Sequence, residues 1–256
     1  MSSVIFVFSF VVLLCFSSVS AGIGCDDEDS PSVLMLPLPL PLPLPPSRIS
    51  VTATVAPPPH YNLLVQTWPP GYCLTYNCGR FRNSSFPHSM FIHGLWPIDF
   101  DGDVSEEVEQ DYTNMTEVEN SINSDMYLRY EMDTYWQSLN IPNNLRFWFH
   151  EWNTHGRCQT TLTALNYFKR TVQLALTTDL LSTLKAYGII PDGSLYRRSD
   201  FEDAIYDITR KIPQFSCDRN GVLTEEIICV DKHAENFIPC QNYQGKCNAD
   251  PIRLVN

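Results

Sequence analysis

Basic side chains are scarce in this sequence: 17 Lys and Arg stand against 29 Asp and Glu in 256 residues, a formal charge of −12. Neutralised phosphates supply most non-specific affinity for nucleic acid, so a broad basic binding face is excluded and any polyanion must be gripped locally. Long apolar runs are missing as well. The longest, Val4 to Phe16, falls short of the ~18 to 20 residues that span a bilayer. It is followed by small residues ending Val19-Ser20-Ala21 before Gly22. Residues 1–21 therefore read as a secretory signal peptide, with a membrane anchor as the alternative.

What is present agrees with export. Of nine cysteines, Cys15 falls within the signal, and Cys25, Cys73, Cys78, Cys158, Cys217, Cys229, Cys240 and Cys247 remain. Eight cysteines suit an oxidising compartment, either extracellular or in the vacuolar and endomembrane lumen. The tripeptides Asn83-Ser84-Ser85 and Asn114-Met115-Thr116 make Asn83 and Asn114 candidate glycosylation positions.

Residues 22–60 form an acidic, Leu/Pro-rich leader. From Leu36 to Pro46 nearly every second residue is proline. Missing N–H groups forbid helix or central strand there, which predicts an extended, weakly ordered spacer. A globular domain is expected over residues 61–256, where 44% hydrophobic and 12% aromatic content overall can fill a core. Tyr61 to Trp68 reads as a strand closed by Pro69-Pro70-Gly71, and Met90 to His93 as a second. Helical spacing runs over 124–139 and again over 160–187, where Leu162, Leu165, Phe168, Val172, Leu176, Leu180 and Leu184 stack on one face up to Gly188. Ser199 and Glu202 suggest a capping box for a helix to about Lys211, and Leu223 to Val230 is strand-like. Elements mixed without regular βαβ alternation indicate an α+β fold.

Three of the six histidines fall in two short segments, Phe91-Ile92-His93-Gly94-Leu95-Trp96-Pro97 and Phe147-Trp148-Phe149-His150-Glu151-Trp152-Asn153-Thr154-His155-Gly156. If the second is helical, Phe147, Glu151 and His155 share a stripe at four-residue spacing. His150 and His155 are five apart and point away from each other, so the HExxH zinc arrangement is excluded and no metal or other cofactor is expected. Imidazole titrates near neutrality, so two can serve as base and acid in one reaction. Cleavage of RNA through its own 2′-hydroxyl needs such a pair. One imidazole takes the 2′-OH proton, the other protonates the departing 5′-oxygen, and a 2′,3′-cyclic phosphate results. Taken singly, His93 or His150 reads more readily as a satisfied core residue, and His60, His88 and His233 carry no assignment.

Both segments resemble the two active-site stretches of the ribonuclease T2 family, notably its plant members, including self-incompatibility ribonucleases and their S-like relatives. The likeness extends over about Tyr61 to Ile252, with Leu64-Val65-Gln66-Thr67-Trp68-Pro69 and Tyr72-Cys73 at its start. It implies a disulfide-bonded single domain with a central antiparallel sheet flanked by helices, acting on single-stranded RNA as a monomer. His93 would be the general acid and His155 the general base, with His150 and Glu151 holding the phosphate and Trp96 and Phe147 lining a base pocket. The resemblance also implies the disulfides Cys73–Cys78, Cys217–Cys247 and Cys229–Cys240.

Two departures bear on activity. Thr154 occupies the position of a lysine that usually precedes the base histidine, and losing one such electrostatic donor can cost on the order of 10² to 10³ in rate. Arg157, three residues on, offers partial compensation. The usual partner of Cys158 is also gone, since residues 98–149 contain no cysteine, which leaves Cys158 unbridged or joined to Cys25. Ten acidic residues between Asp99 and Asp125, with no Lys or Arg before Arg129, read as a solvated loop. Lying beside His93, they would instead raise its pKa and repel RNA. The competing reading of the chain is a secreted binding or storage protein that kept the fold while its catalysis was blunted.

Overall fold

The structure is a computed structural model that describes residues 61–76, 78–79, 89–99, 103, 114–158 and 161–256. The signal peptide, the leader with Cys25 and His60, and the positions Asn83 and His88 lie outside the described residues. Four antiparallel strands form the main sheet in the order β2-β1-β5-β4: β1 is Tyr61–Thr67, β2 Phe91–Ile98, β4 Gln214–Cys217 and β5 Leu223–Asp231. A two-stranded ribbon pairs β3, Leu195–Tyr196, with β6, Ile252–Arg253. The helices are α1 Pro69–Thr75, α2 Met115–Asn123, α3 Met126–Tyr135, α4 Asn144–Thr154, α5 Ala164–Thr178, α6 Leu180–Ala186 and α7 Arg198–Thr209. This is the α+β arrangement expected, with helices against a central antiparallel sheet.

Alternation along β1 divides the core. Leu64 faces the helices and packs with Ile92, Leu95 and Val230 against Val118, Met132, Trp136, Trp148, Phe168 and Val172. Tyr61, Leu63 and Val65 face the other way, with Ile98, Ile227 and Cys229, beneath Ile238 and Tyr243. Each large apolar side chain removed from water contributes roughly 1.5 to 3 kcal/mol, which outweighs the weak strand propensity of the glycine and proline in β2. Glu226 breaks the apolar pattern on the helix side. It pairs in register with Gln66 and Phe215 and is 2% exposed. Neither of its carboxylate oxygens has a hydrogen-bond partner, and burial holds its pKa well above the ordinary carboxylate value.

Four sequence expectations need correction. The second strand continues past His93 to Ile98, through Gly94 and Pro97, because β2 is an edge strand that pairs only with β1 and can spare the proline N–H. Helix α3 starts at Met126, where Asp125 caps the N–H groups of Tyr127 and Leu128, and it stops at Tyr135. The helix over 160–187 is two helices broken at Asp179, which sits at φ 31° and caps α6 through the Ser182 N–H. Gly188 does end that stretch, in the left-handed conformation at φ 76°. Helix α7 begins two residues early, with the Asp200 carboxylate accepting from the Arg197 N–H in place of the Ser199 and Glu202 pair.

All three implied disulfides form, Cys73–Cys78, Cys217–Cys247 and Cys229–Cys240. Each such closure typically stabilises by about 2 to 4 kcal/mol. Cys158 belongs to none of them; its thiol is buried, 3.4 Å from the Thr154 carbonyl oxygen.

Candidate active site

His93 is the extra residue of a β-bulge. The register runs Val65 to Gly94 and then Gln66 to Ile92, skipping it. Such a bulge resets the strand's alternation and re-aims a side chain. Ile92 and Leu95 both enter the helix-side core, whereas His93 turns to the other face, that of Trp96 and of Glu225 on β5. There its Nδ1 lies 2.7 Å from Glu225 Oε1, and its Nε2 lies 4.0 Å from Glu151 Oε1. The His93 carbonyl accepts from Trp136 Nε1 at 2.8 Å, and the Trp136 carbonyl accepts from Trp148 Nε1 at 2.7 Å. Two indoles thus tie β2 to α4.

Helix α4 carries the second segment, capped by Asn143 on the Arg146 N–H. His155 is its C-cap residue, and a single 3₁₀ turn, Gly156–Cys158, follows. Glu151 is 2% exposed and accepts from Trp96 Nε1 at 3.0 Å. Gly94 makes room for it: a Cβ there would lie 2.2 Å from Glu151 Oε2 and 2.6 Å from Trp96 Nε1. The Trp96 ring neighbours both imidazoles, its centroid 4.9 Å from His93 and 5.1 Å from His155. Phe147 closes the other side of His93 at 5.9 Å. His150 is exposed, with Nδ1 3.3 Å from the Thr154 hydroxyl, and Arg157 is buried in the following turn.

The environments drive the two imidazoles apart. Burial alone would lower His93, but the hydrogen bond and charge of Glu225, with Glu151 behind, overcome it and raise the pKa to about 8. Burial, then the neighbouring charges of His93 and His150, push His155 down to about 4. His155 is 8% exposed and its Nδ1 has no hydrogen-bond partner. Burial raises Glu151, against the opposing pull of His93 and the Trp96 hydrogen bond. Near neutral pH one imidazole is therefore a proton donor and the other a proton acceptor, the pattern that marks acid and base roles.

A cleft of about 220 Å³ opens beside His93, lined by Phe147, His150 and Glu151 and by Thr67, Tyr72, Gln137, Ser138 and Asn140. Trp96 and His155 do not line it. Sequence reasoning missed Glu225, Trp136 and Tyr72, none of which lies in either histidine segment. The carboxylates found around His93 also lie outside the acidic run that the sequence singled out. They are Glu225 and Glu151, while Asp99 and Asp103, at the start of the acidic loop, bond to each other. Residues 100–102 and 104–113 of that loop lie outside the described residues. Among the described residues, no group of three His, Cys, Asp or Glu side chains is placed to hold a metal ion.

Comparison with known proteins agrees with this geometry. The ribonuclease T2 family model matches residues 59–240. Ribonuclease 1 of Arabidopsis thaliana is 32% identical over 195 residues, 73% of this chain and 82% of that protein. Extracellular ribonuclease LE of Solanum lycopersicum is 32% identical over 194 residues, covering 72% and 81%. Among solved structures, ribonuclease NT in complex with 5′-AMP superposes with a TM-score of 0.64 at 28% identity, covering 77% of this chain and 98% of that one. A ribonuclease MC1 variant in complex with 5′-UMP gives 0.65 at 26% identity, covering 76% and 98%. With both histidine segments, the sheet and the disulfides in place, the chain belongs to the ribonuclease T2 family and is an endoribonuclease of the T2 type.

Proposed function

We propose that this endoribonuclease acts outside the cytoplasm as a monomer, glycosylated at Asn83 and Asn114, and cleaves single-stranded RNA without a metal by transphosphorylation. The observation that carries the reading is the opposite displacement of the two imidazoles that meet at Trp96. His155, neutral above about pH 4, takes the 2′-OH proton as that oxygen attacks phosphorus. His93, protonated below about pH 8, gives its proton to the 5′-oxygen as the P–O5′ bond breaks. The products are a 2′,3′-cyclic phosphate and a free 5′-hydroxyl, and one proton has passed from substrate to His155 while another has left His93. His150 and Glu151 face the phosphoryl oxygens, and Phe147 offers an aromatic wall on which a base stacks.

A second reading, a binding or storage protein with weakened catalysis, draws on Thr154, whose hydroxyl engages His150 where a cation would otherwise stand. RNA digestion in EDTA separates the two. The proposal expects cyclic-phosphate ends, with losses on the order of 10² to 10⁴ in His93→Ala and in His155→Ala. No cleavage by folded wild type supports the second reading, and undiminished cleavage by either variant overturns the first.

A further inference from the structure

We propose that Glu225 is a positioning residue of this active site: it accepts the Nδ1–H of His93, so that Nε2 carries the proton delivered to the leaving oxygen. The inference rests on the reaction above and names a residue that neither histidine segment contains.

The contact is built rather than incidental. Strands β2 and β5 are not neighbours, since β1 runs between them. Two strand spacings amount to about 9.6 Å. The bulge moves His93 off the β2 ladder and across Thr67, the register partner of Glu225, until Nδ1 meets Oε1 at 2.7 Å. The pair is half-sheltered, with the imidazole 25% and the carboxylate 15% exposed, so solvent screens the contact only in part.

The surroundings point the same way. Glu151 on α4 is the other acid near His93, but it stands 4.0 Å from Nε2 and already accepts from Trp96. His150 on α4 and His155 at its end are the further titratable groups on that side. Around Glu225 lie Tyr72 of α1 and Tyr243, phenols that burial keeps neutral and that feel the Glu225 charge. Glu225 thus has one cation to serve. A carboxylate on one ring nitrogen fixes the tautomer, leaves the other nitrogen for chemistry and favours the imidazolium.

The test uses Glu225→Gln in the full folded chain, with two substrates. On a dinucleotide, whose alkoxide leaving group needs a proton, the alkaline limb of kcat/KM should fall from about pH 8 to below 7. At pH 7.5 this lowers kcat/KM about tenfold, while at pH 5.5 the two proteins should stay within about threefold of each other. On a nucleoside 3′-(4-nitrophenyl phosphate), whose leaving group departs unprotonated, the variant should match the wild type within about twofold at both pH values. NMR titration of His93 provides a readout independent of turnover, and its midpoint should drop with the limb. An unmoved limb and midpoint, or equal losses on both substrates at every pH, overturn the proposal. His93→Ala separates the layers: if it cleaves the dinucleotide normally, the parent reading fails, and if it fails to cleave while Glu225→Gln behaves as wild type, only this inference does.

Discussion

Replacing Glu226 by Gln should flatten the pH dependence of stability, and the size of the effect follows from the burial of that carboxyl. It is 2% exposed, has no hydrogen-bond partner for either oxygen, and its folded pKa is raised by desolvation. In the unfolded chain it titrates near 4.5. A raised folded pKa means that the native state binds more protons than the unfolded state above that value. Stability is then fully present below pH 4.5 and is lost as pH rises toward the folded pKa. The slope is at most about 1.4 kcal/mol per pH unit, so between pH 5 and pH 7 the wild type should lose stability relative to the variant by up to roughly 2.5 kcal/mol. For a domain of this size that upper limit is about 5 to 10 °C in Tm. His93 and His155 also titrate across this range, but they are common to both proteins and cancel in the difference. The assay is thermal unfolding of both proteins at half-unit pH steps. The variant leaves a buried amide in place of the acid, which displaces its curve by a constant, so only the divergence of the curves is diagnostic. Parallel curves from pH 5 to 7 would refute the reasoning.

Activity should be bell-shaped in pH for a related reason. Below about pH 4 His155 is protonated and cannot accept, and above about pH 8 His93 has lost the proton it must give; a kcat/KM profile without both limbs contradicts the assignment. Gly94→Ala should lower activity at least tenfold, since its Cβ collides with the Glu151 carboxylate, and should cost roughly 1 to 3 kcal/mol in denaturant unfolding. Thr154→Lys should raise kcat on RNA about tenfold or more by adding a cation beside His150; an unchanged kcat would show that the phosphorane is already neutralised.

Local signals were legible wherever one strand or one helix settles the outcome. Tyr61 to Thr67 and Leu223 to Asp231 are strands because their apolar residues fit two buried faces, and the leucine stripe from Leu165 up to Gly188 lies on helices. The break at Asp179 was hidden, because its cap on Ser182 looks like an ordinary polar residue inside a periodic pattern. The histidine pair could be read from two segments, since each carries its own aromatic and carboxylate company. Glu225 could not. It lies 132 positions from His93, meets it only through a bulge, and has no histidine or aromatic neighbour in its own strand. Trp136 was missed for a similar reason, as a core indole whose N–H happens to end on the His93 carbonyl.

The indole link from Trp148 through Trp136 to the backbone of His93 bears on how the enzyme tolerates a change of redox surroundings. Among the described residues the disulfides lie at α1 and toward the C-terminal part of the chain, and none of the three joins β2 to α4. The spacing of His93 from α4 is therefore secured by N–H donors that glutathione cannot open. Reduction would loosen α1, the anchor on β5 and the C-terminal segments, and leave His93 tied to α4.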